Sequence, residues 1–257
     1  MNEIEKPKLV ERDGLFYEKN KETPYTGEVV RFYKANILIR LLGVYGAKKT
    51  EGAFKAGKAD GRWISWHANG KKWTDGTFRA GELNGGWTCW YANGKKEAEG
   101  VYKDNKREDV WTYWHANGQK KAKGAFKAGK QDGPWTEWYD TGQKSEEGVS
   151  KNGKEEGVWT YWHTNGQKKQ EGAYKAGEKD GVWVAWHNNG KKWQEGAYKA
   201  GKADGVWTEW YENGQKKAEG AFKAGKWDGV WIGWYANGQK KKEETYKAGE
   251  LISEKKY

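Results

Sequence analysis

The chain has 257 residues, of which 35% are hydrophobic and 16% aromatic, and a formal charge of +11 at pH 7. Nineteen tryptophans exclude the aromatic-poor composition of a disordered chain, and a single cysteine, Cys89, excludes an internal disulfide framework. The longest apolar run, Ile37 to Val44, is broken by Arg40 and too short to span a bilayer, and Met1 to Val10 lacks the apolar stretch of a signal peptide.

Residues 1–27 are expected to form a divergent N-terminal cap hairpin. From Gly14 to Tyr33, GLFYEKNKETPYTGEVVRFY reads as two strands around a turn at Thr23, Pro24 and the Thr26-Gly27 pair. Residues 28–51 form a degenerate first repeat, in which Ile39, Leu42 and Gly46 stand one period before Trp63, Trp66 and Gly70. Residues 52–243 comprise eight tandem 24-residue repeats, and 244–257 an incomplete last copy. The period is marked by Gly52, Gly76, Gly100, Gly124, Gly148, Gly172, Gly196 and Gly220, with Glu244 in the same place of the last copy. Such self-similarity signals units that each need their neighbours to bury a core.

Each copy contains two strands and two kinds of turn. Asn69-Gly70 and its equivalents through Asn237-Gly238, with Thr141-Gly142 as the one variant, predict a two-residue type I′ hairpin turn. Ala200 to Gly205, AGKADG, predicts a longer glycine-rich loop. Counting back from Asn69-Gly70 pairs Ala68 with Lys71, His67 with Lys72, Trp66 with Trp73, Ser65 with Thr74, and Trp63 with Gly76. In this register Gly196 lies beneath Trp183 of the preceding strand, an aromatic ring shielding bare strand backbone.

Alternation then places the Trp63, His67, Gly76 and Phe78 columns on one face and the Trp66, Ile64, Asp75 and Arg79 columns on the other. The two tryptophan columns hold 16 of the 19 tryptophans. Lys72 and its equivalents are expected on the Trp63 face. The expected fold class is all-β: an elongated, twisted antiparallel β-meander of 24-residue hairpin repeats, forming an open single sheet.

From Gly205 to Gly229 the chain follows G-x-W-x-x-W-[HY]-x-N-G-[QK]-K-K-x-E-G-x-[FY]-K-x-G-K-x-D-G. That pattern resembles the bacterial MORN-repeat variant, and the resemblance covers nearly all of the chain from Gly14. It implies an elongated antiparallel sheet. One branch of such proteins comprises antitoxin or immunity partners of bacterial toxins, other bacterial members resemble envelope or host-facing proteins, and the eukaryotic repeat is linked with membrane lipids and scaffolding.

Catalytic and metal sites find no support. His67, His115, His163 and His187 share a column with Tyr91, Tyr139, Tyr211 and Tyr235, which indicates an aromatic role, and column mates about 10 Å apart cannot converge on zinc. The Asp75 and Asp60 columns are expected to offset lysines and satisfy turns rather than to act as acid and base pairs. No cofactor is implied. Basic and aromatic rows together could track nucleic acid, but the acidic columns dilute the field and disfavour it.

The expected function is that of a non-enzymatic protein-interaction array, by resemblance the partner of a toxin. A carbohydrate or cell-envelope module using tryptophan ladders is the alternative, and a structural scaffold the third. The expected binding surface is Trp66, Trp90, Trp114, Trp138, Trp162, Trp186, Trp210 and Trp234; the expected specificity column is Ser65, Cys89, Tyr113, Glu137, Tyr161, Ala185, Glu209 and Gly233. As written the sequence reads as cytoplasmic, or as periplasmic or surface-located if a leader has been removed.

Overall fold

A computed structural model describes residues 8–32 and 48–257. Ile39, Leu42 and Gly46 of the degenerate copy lie outside the described residues. The chain divides into two compact units, residues 1–130 and 131–257. The first holds β1 (Leu9–Arg12), β2 (Leu15–Glu18), β3 (Gly27–Phe32), β4 (Lys48–Lys55), β5 (Lys58–Trp66), β6 (Lys72–Arg79), β7 (Glu82–Trp90), β8 (Lys96–Lys103), β9 (Lys106–Trp114) and β10 (Lys120–Lys127). The second, apart from the first residue of β11, holds β11 (Lys130–Trp138), β12 (Lys144–Lys151), β13 (Lys154–Trp162), β14 (Lys168–Lys175), β15 (Glu178–Trp186), β16 (Lys192–Lys199), β17 (Lys202–Trp210), β18 (Lys216–Lys223), β19 (Lys226–Trp234), β20 (Lys240–Lys247) and β21 (Glu250–Lys256).

Each unit is an antiparallel meander in which consecutive strands pair, from β3 to β10 in the first and from β11 to β21 in the second. No described residue is helical. The all-β meander of repeated hairpins read from the sequence is therefore the observed fold. The N-terminal segment differs in pairing. Its two expected strands, β2 and β3, exist but do not pair with each other: β2 pairs with β1 across Asp13-Gly14, and β3 pairs with β4. Phe16 and Tyr25 pack their rings against Phe54, and Phe16 N–H donates to the Gly57 carbonyl at 2.9 Å.

The two turns exchange their expected types. The two-residue type I′ turn is Ala56-Gly57 and its equivalents: Ala200 (φ 48°) and Gly201 (φ 74°) both lie at positive φ between the paired Lys199 and Lys202. Asn69 is absent from the positive-φ residues, whereas Gly70 has φ 80°. Gly70 N–H donates to the His67 carbonyl at 2.9 Å and His67 N–H to the Lys71 carbonyl at 2.8 Å, a three-residue loop closed by a left-handed glycine.

This loop changes the local pairing. Trp66 opposes Lys72 rather than Trp73, and a bulge between Ser65 and Trp66 restores the expected pairs Ser65 with Thr74 and Trp63 with Gly76. The extra residue also reverses the alternation for what precedes it, so Lys72 joins the Trp66 face, opposite to its expected side. A second register break lies at Gly52, Gly76, Gly100, Gly148, Gly172, Gly196 and Gly220. Gly172 pairs with Trp183, but Ala173 pairs with Asp180, leaving Gly181 (φ 82°) and Val182 on β15 outside that ladder.

Candidate functional site

The Trp63 face is the packed side of each unit. Trp183 is only 2% exposed, and Trp111, Trp135, Trp159 and Trp207 are also buried. The ring over Gly52, Gly76, Gly100, Gly148, Gly172, Gly196 and Gly220 belongs to the following strand, not the preceding one. A Cβ added at Gly196 would lie 2.1 Å from Cδ2 of Trp207, and one at Gly172 2.2 Å from Cδ2 of Trp183, far inside van der Waals contact. The register pair of Trp183 and Gly196 nevertheless stands. Six of these indoles, Trp63, Trp111, Trp159, Trp183, Trp207 and Trp231, also mend the ladder at the register break, as Trp183 Nε1 does by donating to the Ala173 carbonyl at 3.0 Å and Trp207 Nε1 to the Ala197 carbonyl at 3.1 Å, whereas Trp135 Nε1 donates to Glu137 Oε1 at 3.0 Å. Tyr174 and Tyr198 then meet Trp183 and Trp207 edge to face, at 4.9 and 5.0 Å between centroids.

The variable column lies on this same face. Ser65 and Ala185 are buried, and Cys89, Tyr113, Glu137, Tyr161, Glu209 and Gly233 are half-buried. Tyr113 stacks on Trp111 and Tyr161 on Trp159. Burial pushes the Cys89 thiol up, with Glu97 adding to the effect, which opposes thiolate formation. In the second unit Ser150 occupies the place of the usual Phe or Tyr, and polar side chains gather around it: its Oγ donates to Gln131 Oε1 at 3.5 Å, and it pairs with Glu155. Glu137 directly opposes Glu146. Burial, followed by repulsion from Glu137 and Glu155, pushes the Glu146 carboxyl up to about 7. Lys179 Nζ lies 4.0 Å from the centroid of Trp183 and 5.0 Å from that of Tyr198, and burial lowers its pKa.

The Trp66 face carries the expected binding column. Trp66, Trp90, Trp114, Trp138, Trp162, Trp186, Trp210 and Trp234 are all half-buried, so the two proposed columns sit on opposite faces. A lysine from the preceding repeat lies over most of these indoles, as Lys168 Nζ does over Trp186 at 5.8 Å and Lys192 Nζ over Trp210 at 5.7 Å. Each lysine also pairs with the carboxylate three residues on, Lys168 with Glu171 at 2.6 Å and Lys216 with Glu219 at 2.5 Å. Residues three apart on a strand would ordinarily face opposite ways; the bulge brings them to one side. The Lys168 hydrogen bond, together with one from Thr160, holds the Glu171 carboxyl below its usual range against the opposing effect of burial.

One feature of this surface was missed by column reading. Val158, Val182, Val206 and Val230 form an exposed aliphatic row; β-branched residues at one fixed column position were the available signal. The large exposed indoles are Trp73, Trp193 and Trp227, outside both columns. Trp73 and Trp193 rest against His67 and His187, and Trp227 against Trp231 and Tyr246.

The histidine column has a concrete role. His67 Nε2 contacts the Trp90 carbonyl at 2.8 Å and His187 Nε2 the Trp210 carbonyl at 3.0 Å, while Tyr91 and Tyr211 hydroxyls donate to the Trp114 and Trp234 carbonyls at 2.8 and 2.9 Å. Against a carbonyl the histidine must present Nε2–H, so the exchange with tyrosine preserves a donor as well as a ring. Asn69 Oδ1 accepts from Lys71 N–H at 3.1 Å and its amide donates to the Ala92 carbonyl at 2.7 Å, tying each turn to the next. Asp204 accepts from Ala224 N–H at 3.1 Å, the turn-satisfying role expected of its column. Among the described residues no three His, Cys, Asp or Glu side chains gather as a metal site requires, and no helix is long and apolar enough to cross a membrane.

Comparison with known proteins matches residues 83–104, 131–152, 155–176, 179–200, 203–224 and 227–248 to the family described as MORN repeat variant, together just over half of the chain. No curated protein matches. Among 46 matching chains of solved structures is one titled "Crystal Structure of TcdB2-TccC3", at 9% identity and a TM-score of 0.21, with 82% of this chain and 14% of that chain covered.

Proposed function

The chain belongs to the MORN repeat variant family, and from that premise we propose that it is a non-enzymatic protein-binding array whose Trp66 face receives its partner. The observation that carries the reading is the division of labour between faces. The Trp63 column is consumed by packing, whereas the Trp66 face repeats half-buried indoles, paired lysines and exposed valines in successive copies. Interface anchors are commonly indoles in partly desolvated surroundings. The variable column, lying on the opposite face, would set differences between copies through the packing beneath.

The specific form we propose is a neutralising partner of a bacterial toxin, covering the toxin by surface contact. The carbohydrate alternative has less support, because the open side of each indole that a sugar ring would need is taken by a lysine in most copies. The test is capture of partners from the source organism with the native chain and with Trp162→Ala, Trp186→Ala and Trp210→Ala combined. Loss of a specific protein, a toxin in the stated form, from a variant that still unfolds cooperatively is expected. Unchanged capture by the folded variant would overturn the role of this face.

A further inference from the structure

In the second unit the exposed aliphatic row is uninterrupted: Val158 is 62% exposed, Val182 59%, Val206 65% and Val230 49%. The first three pair with Ala173, Ala197 and Ala221, small residues that leave each valine standing clear. Two residues further along the alanine-bearing strands stand Lys175, Lys199 and Lys223, all exposed. Among the described residues none of these three lysines is in an ion pair, since Glu171, Glu195 and Glu219 are held by Lys168, Lys192 and Lys216. The apolar row is thus bordered on one side by lysines outside any ion pair, with the turn carboxylates Glu156 and Asp204 beside Lys175 and Lys223 and Glu178 opposite Lys175, and on the other by glutamates already paired.

Successive members of each row are two strands apart, about 9.6 Å at the usual strand spacing. A ligand that follows the row must present equivalent side chains at that interval. An extended β-strand repeats a face every two residues, about 6.7 Å, and an α-helix every turn, about 5.4 Å, or about 10.8 Å for two turns. Both fall out of step within a few repeats. A polyproline II helix repeats every three residues, about 9.3 Å, and stays in step over five copies to within about one and a half ångströms. It is also ordered before binding, so it loses little conformational entropy on docking.

Resting on the reading that this face receives a protein, we propose that the occupant is an acidic polyproline II segment laid across the strands of the second unit, one residue triplet per repeat. One edge of its three-sided helix places an apolar residue, proline above all, on each valine. A second edge places a carboxylate beside Lys175, Lys199 and Lys223, and the glutamate row on the far side disfavours the reversed placement. The third edge faces water.

The test is fluorescence anisotropy with a labelled peptide of five Pro-Pro-Glu triplets, compared with five Gly-Ser-Glu triplets of equal charge and no preformed helix. The Pro-Pro-Glu peptide is expected to bind at least about tenfold more tightly. Val182→Glu combined with Val206→Glu should weaken it by about tenfold or more, and Lys199→Ala with Lys223→Ala several-fold with a shallower salt dependence. Unfolding midpoints should be unchanged; if the glutamate variant unfolds, Val182→Thr with Val206→Thr keeps the β-branched shape and should still weaken binding. Equal binding of the two peptides, no binding, or binding indifferent to the valine variants overturns the proposal. Failure here with loss of the captured partner in the Val182→Glu, Val206→Glu chain would leave the face as a protein site and remove only its polyproline occupant. Retention of that partner by both the valine and the tryptophan variants would remove the face as well.

Discussion

Trp183 and Trp186 stand three residues apart on one strand and have opposite environments. Trp183 is sealed over Gly172, its Nε1 completing the backbone ladder at Ala173. Trp186 is half-buried beneath the Lys168 ammonium. The same residue type, repeated with the same period, is structural on one face and available on the other. What separates them is the partner each face supplies: a glycine that leaves room for the ring, or a lysine that the bulge turns toward it. Tryptophan count alone therefore says little about function in such arrays.

The sharpest way to break the contrast is to close the space beneath a buried ring. Gly172→Ala should destabilise the chain by about 1–3 kcal/mol, as overpacking does, in chemical unfolding followed by circular dichroism. Ala197→Thr, an enlargement on the exposed face beside Val182, should change stability by less than about 0.5 kcal/mol.

The faces should also respond to pH in opposite senses. Glu146 on the buried face has a folded pKa near 7, above the 4.5 of an ordinary carboxyl, so its contribution is present below about pH 4.5 and is lost as pH rises through about 7. Glu171 on the exposed face has a lowered pKa, so its contribution is present above about pH 4.5 and is lost as pH falls below it. Glu146→Gln should accordingly flatten the decline in stability between pH 5 and 8, whereas Glu171→Gln should leave that window unchanged and alter the acid limb. Unfolding midpoints measured from about pH 2 to about pH 8 check both.

Smaller effects belong to the edges where the faces meet. His67→Phe keeps a ring but removes the donor to the Trp90 carbonyl and should cost about 1 kcal/mol, while His67→Tyr should be nearly neutral. Ala200→Gly relieves a left-handed alanine at φ 48° and should stabilise by up to about 1 kcal/mol, a rise in midpoint that calorimetry would detect.

The repeat, the two-strand unit and the glycine-to-tryptophan register were legible because a 24-residue period and strict alternation leave little choice between them. The turns were not. Asn-Gly serves equally in a type I′ turn and at the end of a type I turn, and only the bulge that follows distinguishes the two. A signal did exist: Asn152-Gly153 and Asp104-Asn105 occupy the Ala-Gly place in two copies, and both are residues that accept positive φ. Missing it misplaced the Lys72 column, since one added residue exchanges faces. The valine row escaped notice because its one signal, a β-branched residue at a fixed column position, does not by itself tell an exposed column from a buried one.

The most direct measurement compares Trp183→Ala with Trp186→Ala in one chemical-unfolding series. Trp183→Ala is expected to cost about 3–5 kcal/mol, the loss of a sealed core indole, and Trp186→Ala about 1 kcal/mol, chiefly partial burial and one cation contact. Equal losses at the two positions would contradict the separation of a structural face from an available one.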